Sequence, residues 1–505
     1  MSWIIAAPLL LPLAAGALAL LAPRLGLMPR WISLGASVLH LMFSVILAEQ
    51  VLREGVVATH MGGWLAPVGI VLVADIFSIL MLVAVSGVGL AVSLYALADI
   101  DRRKESVGWF ALYQILMAGA TGAFLTGDLF NLYVWFEVML IASFGLIVIG
   151  GRRAQIDAGV KYVALNVVAT LSFLTAIGLI HGVAGTLTLA ELPERLVGAD
   201  PTTVTAVSLL LFGALAAKAA LFPVFFWLPA VYHTPATSVT AIFAAIMTKA
   251  GIYAIIRVFT LVFPDGAAWE VLYPIAIATM VAGVIGAAAQ TEVHRILSFH
   301  IVSQIGYIAL GLAIATPLAL MGAIVYLIHN IVVKANLILI AGIARRRMGT
   351  DALGATSGLY ATAPILSALF VIAAMAMAGI PPFSGFWGKL ALTQASLSAA
   401  DWAAIAAILG VGLFTLFSMT KIWIKGWLPR TDEGTPRQLP VQASRALMAP
   451  VVALTVVTLG IGLAPETLLQ IADRASAQLL DPSAYQAAVL GDQLSYQTAI
   501  LGHPL

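Results

Sequence analysis

The chain of 505 residues has no cysteine, and only 10% of its residues are Asp, Glu, Lys or Arg. The absence of cysteine excludes disulfides and thiolate metal sites. Soluble domains carry about 25% charged residues, so this low charge beside 62% hydrophobic residues excludes a soluble fold. Apolar runs of about 18 residues or more recur from end to end. The sequence therefore predicts an all-α polytopic membrane protein that is surrounded by a lipid bilayer.

Motifs for soluble chemistry are also missing from the sequence. It contains no Walker loop, no dinucleotide fingerprint and no His-Glu-x-x-His, which are the patterns that bind nucleotides, redox cofactors and zinc. We therefore expect no catalytic residues, no cofactor and no nucleic-acid partner, and we expect a transporter rather than an enzyme. An energy source other than an ion gradient would have to come from a partner.

Hydropathy over windows of about 20 residues predicts fourteen transmembrane helices in one membrane domain, 1–505. They lie near 2–22, 31–52, 74–97, 107–126, 129–149, 158–183, 203–227, 237–262, 271–289, 296–315, 318–343, 361–398 with a break, 401–422 and 446–468.

Cations in the loops between these helices separate into two unequal groups. Most of the 25 Lys and Arg residues, including Arg430 and Arg437, fall on one face, whereas only Arg53, Arg195 and Arg474 fall on the other. By the positive-inside rule the first face is cytoplasmic. We therefore predict a multi-pass membrane protein with both termini, and the C-terminal tail 470–505, outside the cytoplasm.

Two predicted spans contain prolines where a simple helix should not have them. Pro223 interrupts the seventh span, and Pro381 and Pro382 interrupt the twelfth. Proline removes a backbone donor and frees a carbonyl, so these two are predicted to be broken helices of the kind that line ion paths in transporters.

A short pattern recurs in the two halves of the chain. Tyr162 and Asn166 in the sixth span have the same spacing as Tyr326 and Asn330 in the eleventh, and a broken helix follows in each half. Five helices separate the matched pair, and an odd number reverses the direction of the second unit. We therefore predict inverted repeats of five helices each, at 107–262 and 271–422.

Six ionisable residues lie near the middle of apolar spans, where a lone charge costs at least a few kcal/mol. They are Glu137, Lys218, Lys249, His329, Lys334 and Lys389. Each could instead serve as a static ion pair or a structural hydrogen bond. Because polar groups inside a membrane mark ion paths, we interpret the six as one proton path in which Glu137 and Lys218 form a separable pair.

Four further polar residues are weaker candidates. Lys161, near the cytoplasmic start of the sixth span, either snorkels to water or takes part in proton access. Arg257, near the other end of the eighth span, is expected to snorkel. Asp75 is expected to cap the third helix, where the helix dipole favours an acid, and is a possible access residue. His233, in the loop after the first break, is a possible gate.

At these residues the chain resembles a known family. The stretches GDLFNLYVWFEVMLIASFG at 127–145, KAALFPVFFWLPAVYHTP at 218–235, TKAGIYAIIR at 248–257 and GIPPFSGFWGK at 379–389 resemble the antiporter-like subunits. Mrp-type cation/proton antiporters, respiratory complex I and membrane-bound hydrogenases share these subunits. The motifs and chain length are most similar to the D-subunit family of the Mrp antiporters.

The resemblance implies that the six ionisable residues belong to the proton path and its central hydrophilic axis. It also implies a hetero-oligomer in which this chain is one subunit, exchanging protons for a monovalent cation, with Na⁺ expected. The alternative is a proton-pumping subunit of complex I or of a membrane-bound hydrogenase. No cluster of oxygen ligands in the sequence identifies a cation site, so its ligands stay unassigned.

Overall fold

The computed structural model describes residues 3–64, 69–264, 266–354, 358–428 and 445–491. Arg430, Arg437 and the predicted tail beyond residue 491 lie outside this part of the chain. The described helices are α1 Trp3–Leu21, α2 Pro29–Glu54, α3 Ile76–Asp99, α4 Arg102–Ser106, α5 Trp109–Leu125, α6 Leu129–Val148, α7 Arg153–Ala184, α8 Leu192–Leu196, α9 Pro201–Ala219, α10 Trp227–Val231, α11 Thr237–Leu261, α12 Ala268–Ala289, α13 Val293–Ile314, α14 Pro317–Met348, α15 Leu359–Thr362, α16 Pro364–Ala378, α17 Ser384–Ser398, α18 Trp402–Ile422, α19 Arg445–Leu463 and α20 Glu466–Leu480.

The predicted all-α membrane fold is confirmed. Twelve stretches of the described chain are helical, long and apolar enough to cross a bilayer. At the two remaining predicted positions lie α5 and the pair α16 and α17, whose helices are shorter. The count of fourteen spans therefore stays a prediction. The only described sheet is a small antiparallel hairpin, in which β1 (Val57–His60) pairs with β2 (Val71–Ala74).

Two helices form the centre of the bundle. The apolar windows of α11 and α14 are buried along their whole length, whereas less than half of the corresponding windows of α1, α2, α18 and α19 is buried. The exposed helices present Leu, Val, Ile and Phe outward, as lipid-facing helices do. Charged residues on α11 and α14 are therefore shielded from lipid by the protein itself.

Both predicted breaks are present. The first lies between α9 and α10 and contains Pro223, and the second lies between α16 and α17 and contains Pro381 and Pro382. The second break leaves the Ala378 carbonyl without its helical donor, because Pro382 has no N–H, and a side chain bonds one carbonyl beside each break. The Trp227 indole donates to the Ala217 carbonyl at 3.1 Å, and the Lys389 ammonium donates to the Ala378 carbonyl at 2.8 Å.

The described part of the C-terminal tail packs against the bundle. Helix α20 contacts α3, α11 and α14, and Leu479, Tyr485 and Val489 are buried. The Gln478 side-chain oxygen accepts the backbone N–H of Ile76 at the start of α3, at 3.0 Å. The tail therefore covers the end of the bundle where α3 begins and α11 ends.

A candidate proton path through the bundle

Glu137 and Lys218 lie together, joined by a threonine. The Lys218 ammonium is 3.7 Å from the nearer Glu137 oxygen. Thr170 on α7 lies between them: its hydroxyl donates to the Glu137 carboxylate at 2.6 Å and accepts from Lys218 at 3.1 Å. Three helices, α6, α7 and α9, thus each contribute one member of a hydrogen-bonded chain.

Thr170 is absent from the residues that sequence reasoning selected. A threonine inside an apolar helix usually bonds the carbonyl one turn before it, so alone it attracts no attention. The available signal was its position: Tyr162, Asn166 and Thr170 are spaced by four residues and share one helix face. The two predicted polar residues therefore indicated the face on which the third is found.

The end of α9 places Lys218 beside this chain. The helix stops at Ala220, which has a left-handed φ of 59°, and Lys218 is buried with its ammonium 5.3 Å from the Phe136 ring centroid. Gly251 on α11 packs against the same helix end, where a Cβ atom would be only 2.6 Å from the Ala219 nitrogen. Only glycine allows this approach, so α11 fixes the end of the helix that carries Lys218.

Lys249 is fully buried in the middle of α11. Its ammonium donates to the Ala244 carbonyl at 2.6 Å, and the adjacent Thr248 hydroxyl has no hydrogen-bond partner among the described residues. Unpaired buried hydroxyls are costly, and water is their usual partner. Lys249 is therefore held by a backbone dipole rather than by a carboxylate.

The other three candidates contact the second broken helix. The Lys334 ammonium lies 3.0 Å from the Met377 sulfur on α16, and His329 Nδ1 is hydrogen-bonded to the Ser384 hydroxyl on α17 at 2.7 Å. Lys389 on α17 bonds the free carbonyl of Ala378, as described above. His329, Lys334 and Lys389 thus border a single break, each with a different partner.

Two more polar residues of this region were missed from the sequence. His300 and Gln304 on α13 are fully buried, and neither ring nitrogen of His300 nor either amide atom of Gln304 has a hydrogen-bond partner in the described part of the chain. Their spacing of four residues in an apolar span was the available signal. Together with the unpaired Nε2 of His329, they add polar groups of the kind that bind water.

The buried cations differ in whether a carboxylate accompanies them. Lys218 has Glu137, whereas Lys249, Lys334 and Lys389 form no ion pair within the described residues. An ammonium in a low-dielectric interior is costly without an anion. The first half of the path therefore carries its own counter-charge, and the second half does not.

The prediction that Arg257 snorkels is wrong. Its guanidinium forms two bonds to the Asp75 carboxylate, at 2.6 and 2.7 Å, and both side chains are buried. Asp75 also caps α3 as predicted, accepting the Ser78 N–H at 2.9 Å. Because Asp75 supplies a bidentate partner and Tyr485 of the tail lies 5.2 Å from the guanidinium, Arg257 need not reach water.

Lys161 and His233 line a cavity of about 550 Å³ at the opposite end of α11. Lys161 forms an exposed ion pair with Asp157 at 2.6 Å. The His233 Nδ1–H donates to the Pro229 carbonyl at 3.0 Å, and the other ring nitrogen, Nε2, lies 3.2 Å from the Arg295 guanidinium. Partial burial and the positive charge of Arg295 lower the pKa of His233, which favours the neutral ring.

No convergence of three His, Asp or Glu side chains that could hold a metal ion occurs in the described ranges. The described groups are instead single ionisable side chains: Glu137 and Lys218 share a hydroxyl, and each of the others has its own separate partner. Such a series can pass protons between neighbours, with water completing the gaps.

Comparisons with known proteins identify relatives of the chain and of its fold. Residues 126–415 match the family described as NADH:quinone oxidoreductase/Mrp antiporter, TM. The chain is 41% identical to the Na⁺/H⁺ antiporter D-subunit of Alkalihalophilus pseudofirmus, over 96% of this chain and 98% of that protein. Its structure resembles a chain of the Mrp complex from Dietzia, with 36% identity, a TM-score of 0.90 and coverage of 97% and 100% of the two chains. It also resembles a chain of respiratory complex I from Thermus thermophilus, with 26% identity, a TM-score of 0.81 and coverage of 94% and 99%.

Proposed function

The chain belongs to the NADH:quinone oxidoreductase/Mrp antiporter family, among the D-subunits of Na⁺/H⁺ antiporters, and we propose that it moves protons as one subunit of a monovalent cation/proton antiporter. The observation that carries this proposal is the hydrogen-bonded chain of Glu137, Thr170 and Lys218. A carboxylate and an ammonium that share one hydroxyl inside a membrane are close enough to interact and weakly enough joined to separate.

The proposed switch works through the counter-charge. While Glu137 lies near Lys218, the ammonium form of the lysine is stabilised, and a proton can stay there. When the carboxylate moves away, the ammonium loses its anion in a low-dielectric interior, and the proton leaves. Lys249 on the adjacent helix α11 is the next proposed acceptor, and water bound by its surroundings would complete the step.

Beyond Lys249 the proposed path continues to the second break. Lys334 and His329 on α14 and Lys389 on α17 form its second half, and Lys389 is the proposed far end. His233 and Lys161 are proposed as access to the cytoplasm through their cavity, and Asp75 as a residue of the opposite end. Because Asp75 is bound to Arg257, its part would be structural unless that pair opens.

The proposed assembly is a hetero-oligomer in a bacterial or archaeal cell membrane, with both termini extracytoplasmic. The exchanged cation is proposed to be Na⁺, bound at least partly by partner subunits, because the described residues of this chain contain no group of three or more His, Asp or Glu side chains that could hold a metal ion. The subunit itself is proposed to be a transporter component rather than an enzyme.

The test uses the assembled complex in proteoliposomes, with proton flux driven by a Na⁺ gradient and no NADH or quinone added. Glu137→Gln and Lys218→Met should abolish the flux while the complex still assembles. The matched control is Glu49→Gln, which removes the acid of an exposed Glu49–Arg53 pair and should leave the flux unchanged. Full flux in both path variants would refute the proposal.

The similarity to a complex I chain supports one alternative, a proton-pumping subunit of a redox enzyme. The same measurement separates the two. Proton movement that needs NADH or another electron donor, and that ignores the Na⁺ gradient, would favour the redox enzyme.

A further inference from the structure

The two halves of the chain agree in residue register far beyond the Tyr-Asn pattern. Helix α7 spans 153–184 and α14 spans 317–348, both 32 residues long, so that both ends differ by the same 164 positions. Each helix ends at a left-handed glycine, Gly185 and Gly349, whose N–H donates to the fourth residue before it at 2.8 Å. Helices α7 and α14, which we call the crossing helices of the two halves, are thus aligned without a gap.

Backbone contacts before these helices keep the same offset. The Leu129 N–H donates to the Leu187 carbonyl at 2.9 Å, and the Val293 N–H donates to the Asp351 carbonyl at 3.0 Å. A side-chain bond is repeated as well: the Asn166 amide donates to the Tyr162 carbonyl at 2.9 Å, and Asn330 does so to Tyr326 at 2.8 Å.

The two broken helices align with an offset of 159. The left-handed residues that end their first segments are Ala220 and Gly379. After each end, one N–H turns back to a carbonyl three residues earlier, from Val224 to Leu221 and from Phe383 to Ile380, both at 2.9 Å. Pro223 and Pro382 occupy the same place in the two breaks. This alignment relates each residue of α9 near the break to one residue of α16.

With these two offsets, 164 for the crossing helices and 159 for the broken helices, one side-chain contact of the first half corresponds to one side-chain contact of the second half. Thr170 corresponds to Lys334, and Lys218 corresponds to Met377. Both pairs touch: Lys218 donates to Thr170 at 3.1 Å, and Lys334 donates to the Met377 sulfur at 3.0 Å. In the first half the lysine is on the broken helix, whereas in the second it is on the crossing helix.

We propose that Met377 and Lys334 form the position that holds a proton in the second half, equivalent to Lys218 and Thr170 in the first. In each half the proton is held where the crossing helix (α7 or α14) contacts the first segment of the broken helix (α9 or α16), whichever of the two helices supplies the lysine. The inference rests on the proposed function, since it assigns a role within that path. It adds Met377 as a residue that positions the ammonium through its sulfur, the only hydrogen-bond acceptor of Lys334 in the described part of the chain.

The carboxylate of the first half has no counterpart in the second half. Glu137 corresponds to Ile301, a buried hydrophobic residue. The second position therefore holds its ammonium without an anion of its own half. Because of this difference, the two positions have unequal affinities for a proton. Unequal affinities allow a proton to be passed from one half to the other.

The test exchanges the lysine across the contact. Lys334→Met alone removes the ammonium and should lower Na⁺-driven proton flux by about tenfold or more, the effect of losing a hydrogen bond to a charged group. The double variant Lys334→Met with Met377→Lys returns an ammonium to the same contact from the other helix. Lys and Met are both unbranched, so the exchange nearly conserves volume. We expect the double variant to recover most of the flux.

The mirror exchange in the first half, Lys218→Met with Thr170→Lys, is the second variant and should recover flux relative to Lys218→Met. Assembly of each complex is checked by size-exclusion chromatography. Double variants that assemble but transport no better than the single Lys334→Met and Lys218→Met variants would overturn the inference. If Glu137→Gln leaves the flux intact, the proposed function fails, and this outcome is separate from a failure of the exchange alone.

Discussion

Replacing Thr170 by valine tests whether the hydroxyl, rather than direct ion pairing, connects Glu137 to Lys218. Valine keeps the shape of threonine and removes its hydrogen-bonding group. The direct distance between ammonium and carboxylate is 3.7 Å, longer than the usual N–H···O distance of about 2.9–3.0 Å. The hydroxyl therefore supplies both short contacts in the chain.

The size of the effect follows from those two contacts. A hydrogen bond to a charged group contributes about 1.5–3 kcal/mol. The Glu137 side chain is one-quarter exposed, so water can replace part of the loss, and the lower end of this range applies. A change of about 1.4 kcal/mol is tenfold, so Thr170→Val should lower Na⁺-driven proton flux roughly tenfold.

The assay is proton flux of the purified complex in proteoliposomes, followed by a pH-sensitive dye inside the vesicles. Thr170→Ser restores the hydroxyl and should recover the flux. Thr175→Val is the matched control, because Thr175 is exposed on the same helix and bonds only the Leu171 carbonyl. Flux of the Thr170→Val complex equal to that of the Thr175→Val complex would refute a bridging role for the hydroxyl.

Three further predictions concern the surroundings of the path. Gly251→Ala places a Cβ atom 2.6 Å from the Ala219 backbone nitrogen, so it should lower the stability of the fold by about 1–3 kcal/mol. Both the Tm and the proton flux should fall. A fall in Tm alone would show that the end of α9 is unimportant for transport. Arg257→Met leaves the Asp75 carboxylate buried and unpaired, which costs about 3–5 kcal/mol. A thermal melt should show a larger decrease in Tm for this variant than for the double variant that also carries Asp75→Asn. Equal decreases in Tm would contradict a stabilising Asp75–Arg257 ion pair. The pKa of His233 is lowered by burial and by a neighbouring cation, so the folded state binds this proton less readily than the unfolded state. The Tm should therefore fall as the pH decreases through about 6.5, and it should fall less in His233→Gln. Parallel curves of Tm against pH for the two proteins would contradict this prediction.

The helix breaks and the pairing of Glu137 with Lys218 could be predicted, because an unsatisfied carbonyl and an unpaired charge both cost much free energy inside a bilayer. A proline frees a carbonyl at a known position, and an isolated charge in an apolar span needs a partner. Arg257 was mispredicted because a sequence gives depth along one helix and not the neighbour that lies beside it. The Asp75 carboxylate comes from a helix far away in the chain, and only packing brings it within 2.6 Å.

Uncharged polar residues were the other limit. Gln304 and Thr170 carry no formal charge, and a polar residue of this kind is tolerated in a helix for several unrelated reasons. Their importance comes from atoms on other helices that complete or fail to complete their hydrogen bonds. The Lys334 contact with Met377 was equally hidden, because methionine is an ordinary lipid-span residue until an ammonium is found against its sulfur.

The tail that covers the Asp75–Arg257 pair has a consequence for biogenesis. A ribosome makes Asp75 and Arg257 long before it makes Gln478 and Tyr485, so the ion pair can form in an incomplete bundle whose end is still open to water. Hydration at that stage lowers the cost of bringing two charges together. The late arrival of the tail then removes the water from a pair that already exists. Folding in this order lets the chain bury a charge pair without ever burying a single charge.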